Sequence, residues 1–153
     1  MILDLTTLGE DGRRFVGEEP AGILEWDPAD DTLQPSSPVH YDFHAALFDT
    51  ELVLRGRLSC RFTGVCNRCG GPMDLDVRED DFCVSLEVAE ENSTVDLTNE
   101  LREAIILALP SYPVCSPDCP GVCPRCGKRL ADGPCGCQER PARGWEALDG
   151  LGL

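Results

Sequence analysis

The feature of this sequence that most constrains its fold is a pair of matching cysteine turns. Residues 65–70 read Val-Cys-Asn-Arg-Cys-Gly, and residues 122–127 read Val-Cys-Pro-Arg-Cys-Gly. In such a turn the backbone folds so that both sulfurs face one ion, and the glycine permits the positive φ that the turn needs. One C-x-x-C is also found in redox proteins, but two of them with further close cysteine pairs indicate metal binding.

Two further cysteine pairs lie downstream of the first turn. Structural zinc is almost always tetrahedral, so eight paired cysteines predict two Zn²⁺ ions. The most economical pairing makes a local zinc ribbon from Cys123, Cys126, Cys135 and Cys137. The second site then consists of Cys66, Cys69, Cys115 and Cys119, with 45 residues between its two halves. The alternative is a single zinc ion held by four of the six C-terminal cysteines.

The other two cysteines and the start of the chain indicate the cellular setting. Cys60 and Cys83 have no close partner and fit small side chains of a core. Residues 1–12 lack the basic start and apolar segment of a signal peptide, and no apolar run approaches the roughly 20 residues of a membrane helix. We therefore expect a cytoplasmic protein with no membrane partner, whose thiols stay reduced and available for metal.

Two competing chemistries use similar cysteines. Thiol–disulfide exchange needs an exposed thiolate of low pKa, usually beside a helix start, and neither turn precedes a helical pattern. Catalytic zinc needs an open coordination position and a general base. The all-cysteine ligand set favours structural zinc, so we expect no catalytic residue and no small-molecule substrate. His40 and His44 share one strand face, but without a third ligand group they are expected to face solvent.

Charge is unevenly distributed along the chain. The formal net charge is −15, which argues against a surface that grips nucleic acid throughout. Residues 55–72 contain four arginines and no acid, whereas residues 1–54 hold 12 acids against 2 bases and residues 73–107 hold 11 against 2. The acidic segments fit either a solvated face or a docking surface.

Hydrophobic periodicity predicts a sheet with one helix. Apolar side chains repeat with a period of two in four segments, residues 39–47, 52–62, 73–77 and 82–88. Leu97, Leu101 and Ile105 recur every four residues, which predicts a helix at about 97–108 that ends before Pro110. The predicted class is α+β: an antiparallel β-sheet with one main helix and a C-terminal cysteine-rich zinc ribbon.

The same patterns suggest how the chain is divided. Residues 1–110 are predicted to form the sheet body, with a short strand in residues 1–8 and a loop in residues 27–38. Residues 111–153 are predicted to form a zinc-binding segment that is packed on the body or tethered to it. An amphipathic turn around Trp145, Leu148 and Leu151 can pack back onto the body.

Several of these motifs together resemble a known family. They are the knuckle at residues 66–69, the Val-Asp-Leu at residues 95–97, the Leu-Ala-Leu-Pro that ends the helix, and the C-x3-C-x-G-x-C-P-x-C-G run with its closing C-x-C. This combination resembles the YceD-type proteins of bacteria and plastids. The resemblance implies a non-catalytic role in ribosome assembly, in the accumulation of large-subunit ribosomal RNA.

The resemblance also suggests partners and leaves alternatives open. One hypothesis is that large-subunit ribosomal RNA contacts the arginine-bearing knuckle region, which carries Arg55, Arg57, Arg61 and Arg68. Another is that a basic ribosomal protein docks on the acidic segments. The alternatives are a zinc-stapled docking module outside ribosome assembly and a thiol redox protein.

Overall fold

The computed structural model describes residues 1–9, 11–89 and 91–137. These residues form seven β-strands and one α-helix, together with three short 3₁₀ segments. In chain order the strands and the helix are β1 (Ile2–Asp4), β2 (Arg13–Glu19), β3 (Leu33–Pro35), β4 (Val39–Phe48), β5 (Glu51–Val65), β6 (Pro72–Glu87), β7 (Thr94–Asp96) and α1 (Thr98–Leu107). The 3₁₀ segments are Leu5–Thr7, Ala21–Leu24 and Leu130–Asp132.

Five of the described strands form one antiparallel sheet around β5. On one side of β5, residues 51–59 pair with β4 and residues 62–64 pair with β3. On the other side β6 pairs with β5 from end to end, and β2 extends the sheet beyond β4. Strands β1 and β7 form a separate two-stranded sheet. The predicted α+β class is therefore confirmed.

The helix α1 covers the inner face of the large sheet. On this face β5 presents Leu52, Leu54 and Leu58, which are all buried, and α1 contributes the fully buried Leu101 and Ile105. Burial of each such side chain contributes about 1.5–3 kcal/mol relative to leaving it exposed. The predicted helix is confirmed to within one residue at each end. Among the residues that the structure describes, no helix has the length and apolarity that crossing a membrane requires.

Four strand assignments differ from the sequence-based prediction, and the shortest, β7, was missed because three residues are too few to show a period. Strand β2 was missed because its side chains are exposed or half-buried, so the apolar alternation is weak. Strand β3 lies inside the predicted loop 27–38, where pairing with β5 outweighs the local loop composition. The predicted segments 73–77 and 82–88 fall, except for Val88, in the single strand β6, because pairing with the long β5 continues on both sides of an irregularity at Asp80 and Asp81.

The outer face of the sheet is polar. His40 and His44 are exposed, as predicted. Between them Asp42 is bound by two guanidinium groups, with Arg14 Nε at 2.6 Å and Arg57 Nη2 at 2.7 Å. Arg14 makes the largest contribution and Arg57 the next. The hydrogen bonds that they donate hold the pKa of the Asp42 carboxyl well below its usual range. Of the two unpaired cysteines, Cys60 is buried as expected, whereas Cys83 is exposed, so its assignment to the core was wrong.

The turn expected around Trp145, Leu148 and Leu151 lies outside the described residues.

Candidate metal centres

The first cluster brings together four cysteine sulfurs from two distant parts of the chain. Cys66 and Cys69 lie in the turn between β5 and β6, and Cys115 and Cys119 follow α1. All four sulfurs lie within 4.8 Å of one another. Cys66 Sγ is 3.9 Å from Cys119 Sγ, and Cys69 Sγ is 4.0 Å from Cys115 Sγ. This first cluster therefore joins the end of the sheet to the segment after the helix.

Backbone hydrogen bonds set the shape of its turn. The Cys66 amide donates to the Gly71 carbonyl at 2.8 Å, and the Gly70 amide donates to the Cys66 carbonyl at 2.7 Å. The amides of Arg68 and Cys115 donate to Cys66 Sγ at 3.4 and 3.3 Å. Gly70 has φ +66°, which confirms the positive φ predicted for the residue after the second cysteine.

The second cluster repeats this turn further along the chain. It consists of Cys123, Cys126, Cys135 and Cys137, whose sulfurs also lie within 4.8 Å of one another. The Cys123 amide donates to the Lys128 carbonyl at 2.8 Å, and the Gly127 amide donates to the Cys123 carbonyl at 2.9 Å, with φ +71° at Gly127. The eight paired cysteines thus fall into the same two sets that the spacing suggested.

The sulfur positions fit a tetrahedral metal ion. Metal–sulfur bonds of about 2.3 Å, the length found for zinc, place the sulfurs of a tetrahedral site about 3.8 Å apart. The separations of 3.9 and 4.0 Å agree with this value, whereas a disulfide bond is only about 2.05 Å long. All ten cysteines lie in the described residues, and none is in a disulfide. The two clusters can therefore bind metal ions.

Amide donors make one thiol in each cluster acidic. Burial raises the pKa of Cys66, but backbone amides, that of Cys115 foremost, outweigh this effect and lower the pKa to about 6. The amides of Arg125 and Cys126 lower the pKa of Cys123 to about 6. Hydrogen bonding of this kind stabilises a thiolate in the same way that it stabilises any anion.

A second thiol in each cluster resists ionisation. Hydrogen bonding with the Cys119 sulfur raises the pKa of Cys115 to about 12, and the Cys126 sulfur does the same for Cys137. Four closely packed thiols cannot all lose their protons without a compensating positive charge. A divalent cation bound by all four sulfurs would supply that charge.

The distribution of acidity and exposure argues against the thiol redox alternative. A reactive cysteine combines a low pKa with access to its partner. The acidic thiols Cys66 and Cys123 are only 1% and 5% exposed, whereas Cys115 is exposed but has a raised pKa. The two thiols with a lowered pKa, Cys66 and Cys123, are therefore shielded from a redox partner.

Two arginines hold the first turn in place, Arg68 from within it and Arg129 from beside the second turn, and the sequence predicted neither role. Arg68 Nη1 donates to the carbonyls of Pro117 at 3.0 Å and Cys119 at 3.2 Å, so this arginine is engaged within the protein. The Arg129 guanidinium lies directly against Gly71, where a side chain would collide with it. Gly71 itself, which follows Gly70 directly, was the only feature of the sequence that could have indicated this close contact.

The sequence of the chain also matches a known protein family. The model of a family described as large ribosomal RNA subunit accumulation protein YceD matches residues 54–152. The chain belongs to the YceD family. The matched range includes most of β5, all of β6 and α1, and both cysteine clusters, so the resemblance is confirmed. No solved structure matches the chain at a significant level.

Similar proteins are found in mycobacteria. An uncharacterized protein of Mycobacterium tuberculosis and one of Mycobacterium bovis are each 38% identical over 81 residues, which is 53% of this chain and 37% of theirs. An uncharacterized protein of Mycobacterium leprae is 22% identical over 140 residues, which is 82% of this chain and 60% of its own. The chain thus covers less than two thirds of the length of these relatives.

The arginine-rich segment of this YceD family member does not form a purely basic surface. Arg55, Arg57 and Arg61 lie on the outer face of β5, but Arg57 is paired with Asp42. Arg61 is opposite Asp76 in the register of β5 and β6. Strand pairing therefore places acidic residues of one segment beside the basic residues of another, and the outer face carries mixed charge.

Proposed function

We propose that this chain is a non-catalytic factor that supports the accumulation of large-subunit ribosomal RNA during ribosome assembly in the cytoplasm. The observation that carries the proposal is the YceD family match, which extends over both cysteine clusters. The description of that family names large ribosomal RNA subunit accumulation. In this proposal the fold presents a rigid surface to components of the large subunit.

We further propose that both clusters hold Zn²⁺, with ligands Cys66, Cys69, Cys115 and Cys119 in one site and Cys123, Cys126, Cys135 and Cys137 in the other. Four soft thiolates at tetrahedral separations are the ligand set that zinc prefers. When bound, zinc would supply structural cross-links between distant backbone segments. Residues 111–137 would then be fixed to the sheet body rather than loosely tethered to it.

The ligand sets favour a structural role over a catalytic one. Four cysteines complete a tetrahedral coordination sphere, so they leave no position for a water or a substrate. Neither cluster contains a histidine or a carboxylate among the described residues that could act as a general base there.

Thiol reactivity tests the metal proposal. The purified protein is expected to react rapidly with a thiol reagent at about one cysteine, the exposed Cys83, because the eight clustered thiols are metal-bound and Cys60 is buried. Addition of a strong zinc chelator should make eight more thiols reactive. The counts come from absorbance titration, with Cys83→Ser as the control that removes the first thiol only. Equal reactivity with and without the chelator would contradict metal binding.

Depletion in cells tests the proposed function. Lowering the level of this protein is expected to reduce the ratio of large-subunit to small-subunit ribosomal RNA about twofold or more, measured on total RNA. Expression of the intact chain should restore the ratio, and the control variant Val16→Ser, on the exposed outer face of β2, should restore it equally well. Cys66→Ser, which breaks the first cluster, should fail to do so. An unchanged ratio after depletion would refute the proposed function.

A further inference from the structure

An apolar groove runs between α1 and the second half of β6. Its volume is about 430 Å³, and its uncharged lining comprises Phe82, Cys83, Val84, Leu86, Ala104 and Leu107. Leu107, at the end of α1, is 82% exposed. A contiguous apolar surface that is left open to water, as the groove and Leu107 together form, often marks an interaction site.

The groove exists because the core stops short of the sheet edge. Val84 and Leu86 point toward the helix side but remain half-buried. Their cross-strand neighbours on β5, Leu54 and Leu52, are fully buried. Within residues 1–9, 11–89 and 91–137, β6 pairs with β5 alone, so the outer edge of β6 has backbone groups that no other strand uses.

The rim of the groove is acidic. Glu79, Asp81, Glu100 and Glu103 line it, and no lysine or arginine of the described residues does. The Oε2 atom of Glu100 is buried and accepts no hydrogen bond from any described group. A buried carboxylate oxygen without a donor is costly, and a cationic side chain brought by a partner would satisfy it.

We propose that this groove docks an extended segment of a basic partner protein in which lysine or arginine residues alternate with apolar residues. The segment adds a strand to the free edge of β6, so successive side chains fall alternately on the two faces. Its apolar side chains contact Val84, Leu86 and Leu107, and its cations reach Glu100 and Glu103. The proposal deepens the proposed function, since it specifies the kind of large-subunit component that the chain would bind.

The charge of the groove favours this occupant over three others. The four carboxylates would repel the phosphates of RNA. A second copy packed by two-fold symmetry would place the same acidic rim against itself. The third is the segment 138–153 of this chain, in which Arg140 and Arg143 are outnumbered by three acids, Glu139, Glu146 and Asp149, and the crosslinking experiment tests it directly.

Site-specific crosslinking tests the proposal with the full chain. The probe is the mixture of proteins extracted from large ribosomal subunits of the same cells and freed of RNA. With Leu107→p-benzoylphenylalanine, illumination is expected to crosslink the chain to a segment with alternating basic and apolar residues, identified by mass spectrometry. The combined variants Glu100→Gln and Glu103→Lys should lower the yield about tenfold, because both cationic contacts are lost. The matched control is Val16→p-benzoylphenylalanine, since Val16 is 67% exposed on the outer face of β2.

Several results would overturn the inference. They are a yield at position 107 no higher than at position 16, crosslinks confined to residues 138–153 or to a second copy, and a yield that the two acidic substitutions leave unchanged. Thermal melting of each variant verifies that it folds, and Glu79→Gln with Asp81→Asn provides a second variant of the rim. If depletion lowers the ribosomal RNA ratio but no such crosslink forms, only the groove is refuted. If the crosslink forms but depletion has no effect, only the proposed function is refuted.

Discussion

Replacing Cys66 by serine is expected to remove one zinc ion per chain and to destabilise the whole fold by about 4 kcal/mol or more. Cys66 is 1% exposed, and its sulfur accepts hydrogen bonds from two backbone amides. The same sulfur lies 3.9 Å from Cys119 Sγ. Without this ligand the β5–β6 turn and the segment after α1 lose their shared anchor. For a chain of this size the melting temperature should fall by roughly 10 °C.

The second cluster provides the matched comparison. Cys123→Ser should also remove one zinc ion, but its cluster closes the short segment 123–137 rather than joining that segment to the sheet. The body should therefore melt within a few degrees of the unaltered protein. Cys83→Ser, outside both clusters, should change neither quantity. Zinc is measured by elemental analysis and melting by circular dichroism. A Cys66→Ser protein that retains two ions per chain would contradict the assignment of the first cluster.

The two cysteine sets could be anticipated from sequence because their geometry is local. A C-x-x-C-G turn determines its own backbone path, and Gly70 and Gly127 adopt the positive φ that this path requires. What joins the turns could not be anticipated in the same way. The contact of Arg129 with Gly71 depends on the relative position of segments that are far apart in the chain. The only feature of the sequence that could have indicated this contact is Gly71 itself, the second glycine after the turn.

Strand prediction succeeded for long strands with one buried face, and it failed for β2, which has no fully buried residue, and for the short β3. Strands β4 and β5 alternate buried and exposed residues, so their period of two is visible in the sequence. Strand β2 has no fully buried residue, and it is recognisable only through its pairing with β4. Pairing also explains the continuity of β6, because β5 pairs with it up to Glu79 and again from Phe82, on both sides of an irregularity at Asp80 and Asp81.

The charge of sequence segments was the feature that predicted the folded surface least well. The basic segment 55–72 and the acidic segment that follows it are separate in sequence but become neighbouring strands. Conversely, the acidic rim of the groove combines Glu79 and Asp81 of β6 with Glu100 and Glu103 of α1. A local excess of one charge therefore indicates a surface only after the pairing of the elements is known.

Replacing Gly56 by alanine is expected to be the most damaging of the glycine substitutions in the sheet. Gly56 is paired with Phe43 on β4 and with Phe82 on β6, and the rings of these two phenylalanines approach to 6.0 Å between centroids. Since β4 and β6 are two strand spacings apart, about 9.6 Å, the rings lean toward each other across the missing side chain. A β-carbon here would also overlap the Asp42 carbonyl and the Phe43 backbone, which cannot move independently of the sheet. We expect a loss of about 3 kcal/mol or more in the free energy of unfolding.

Gly17→Ala is the matched control, because it places a methyl group in the neighbouring part of the same sheet with a different obstacle. A β-carbon at Gly17 would meet the hydroxyl end of the Tyr41 side chain, which is only partly buried and can rotate away. Alanine also restricts the unfolded chain, which offsets part of any cost. We therefore expect a change within about 1 kcal/mol for Gly17→Ala, measured with Gly56→Ala by urea denaturation of the zinc-loaded protein. Similar values for the two variants would mean that the sheet can shift at Gly56, and that the packing of Phe43 against Phe82 does not depend on the absent side chain.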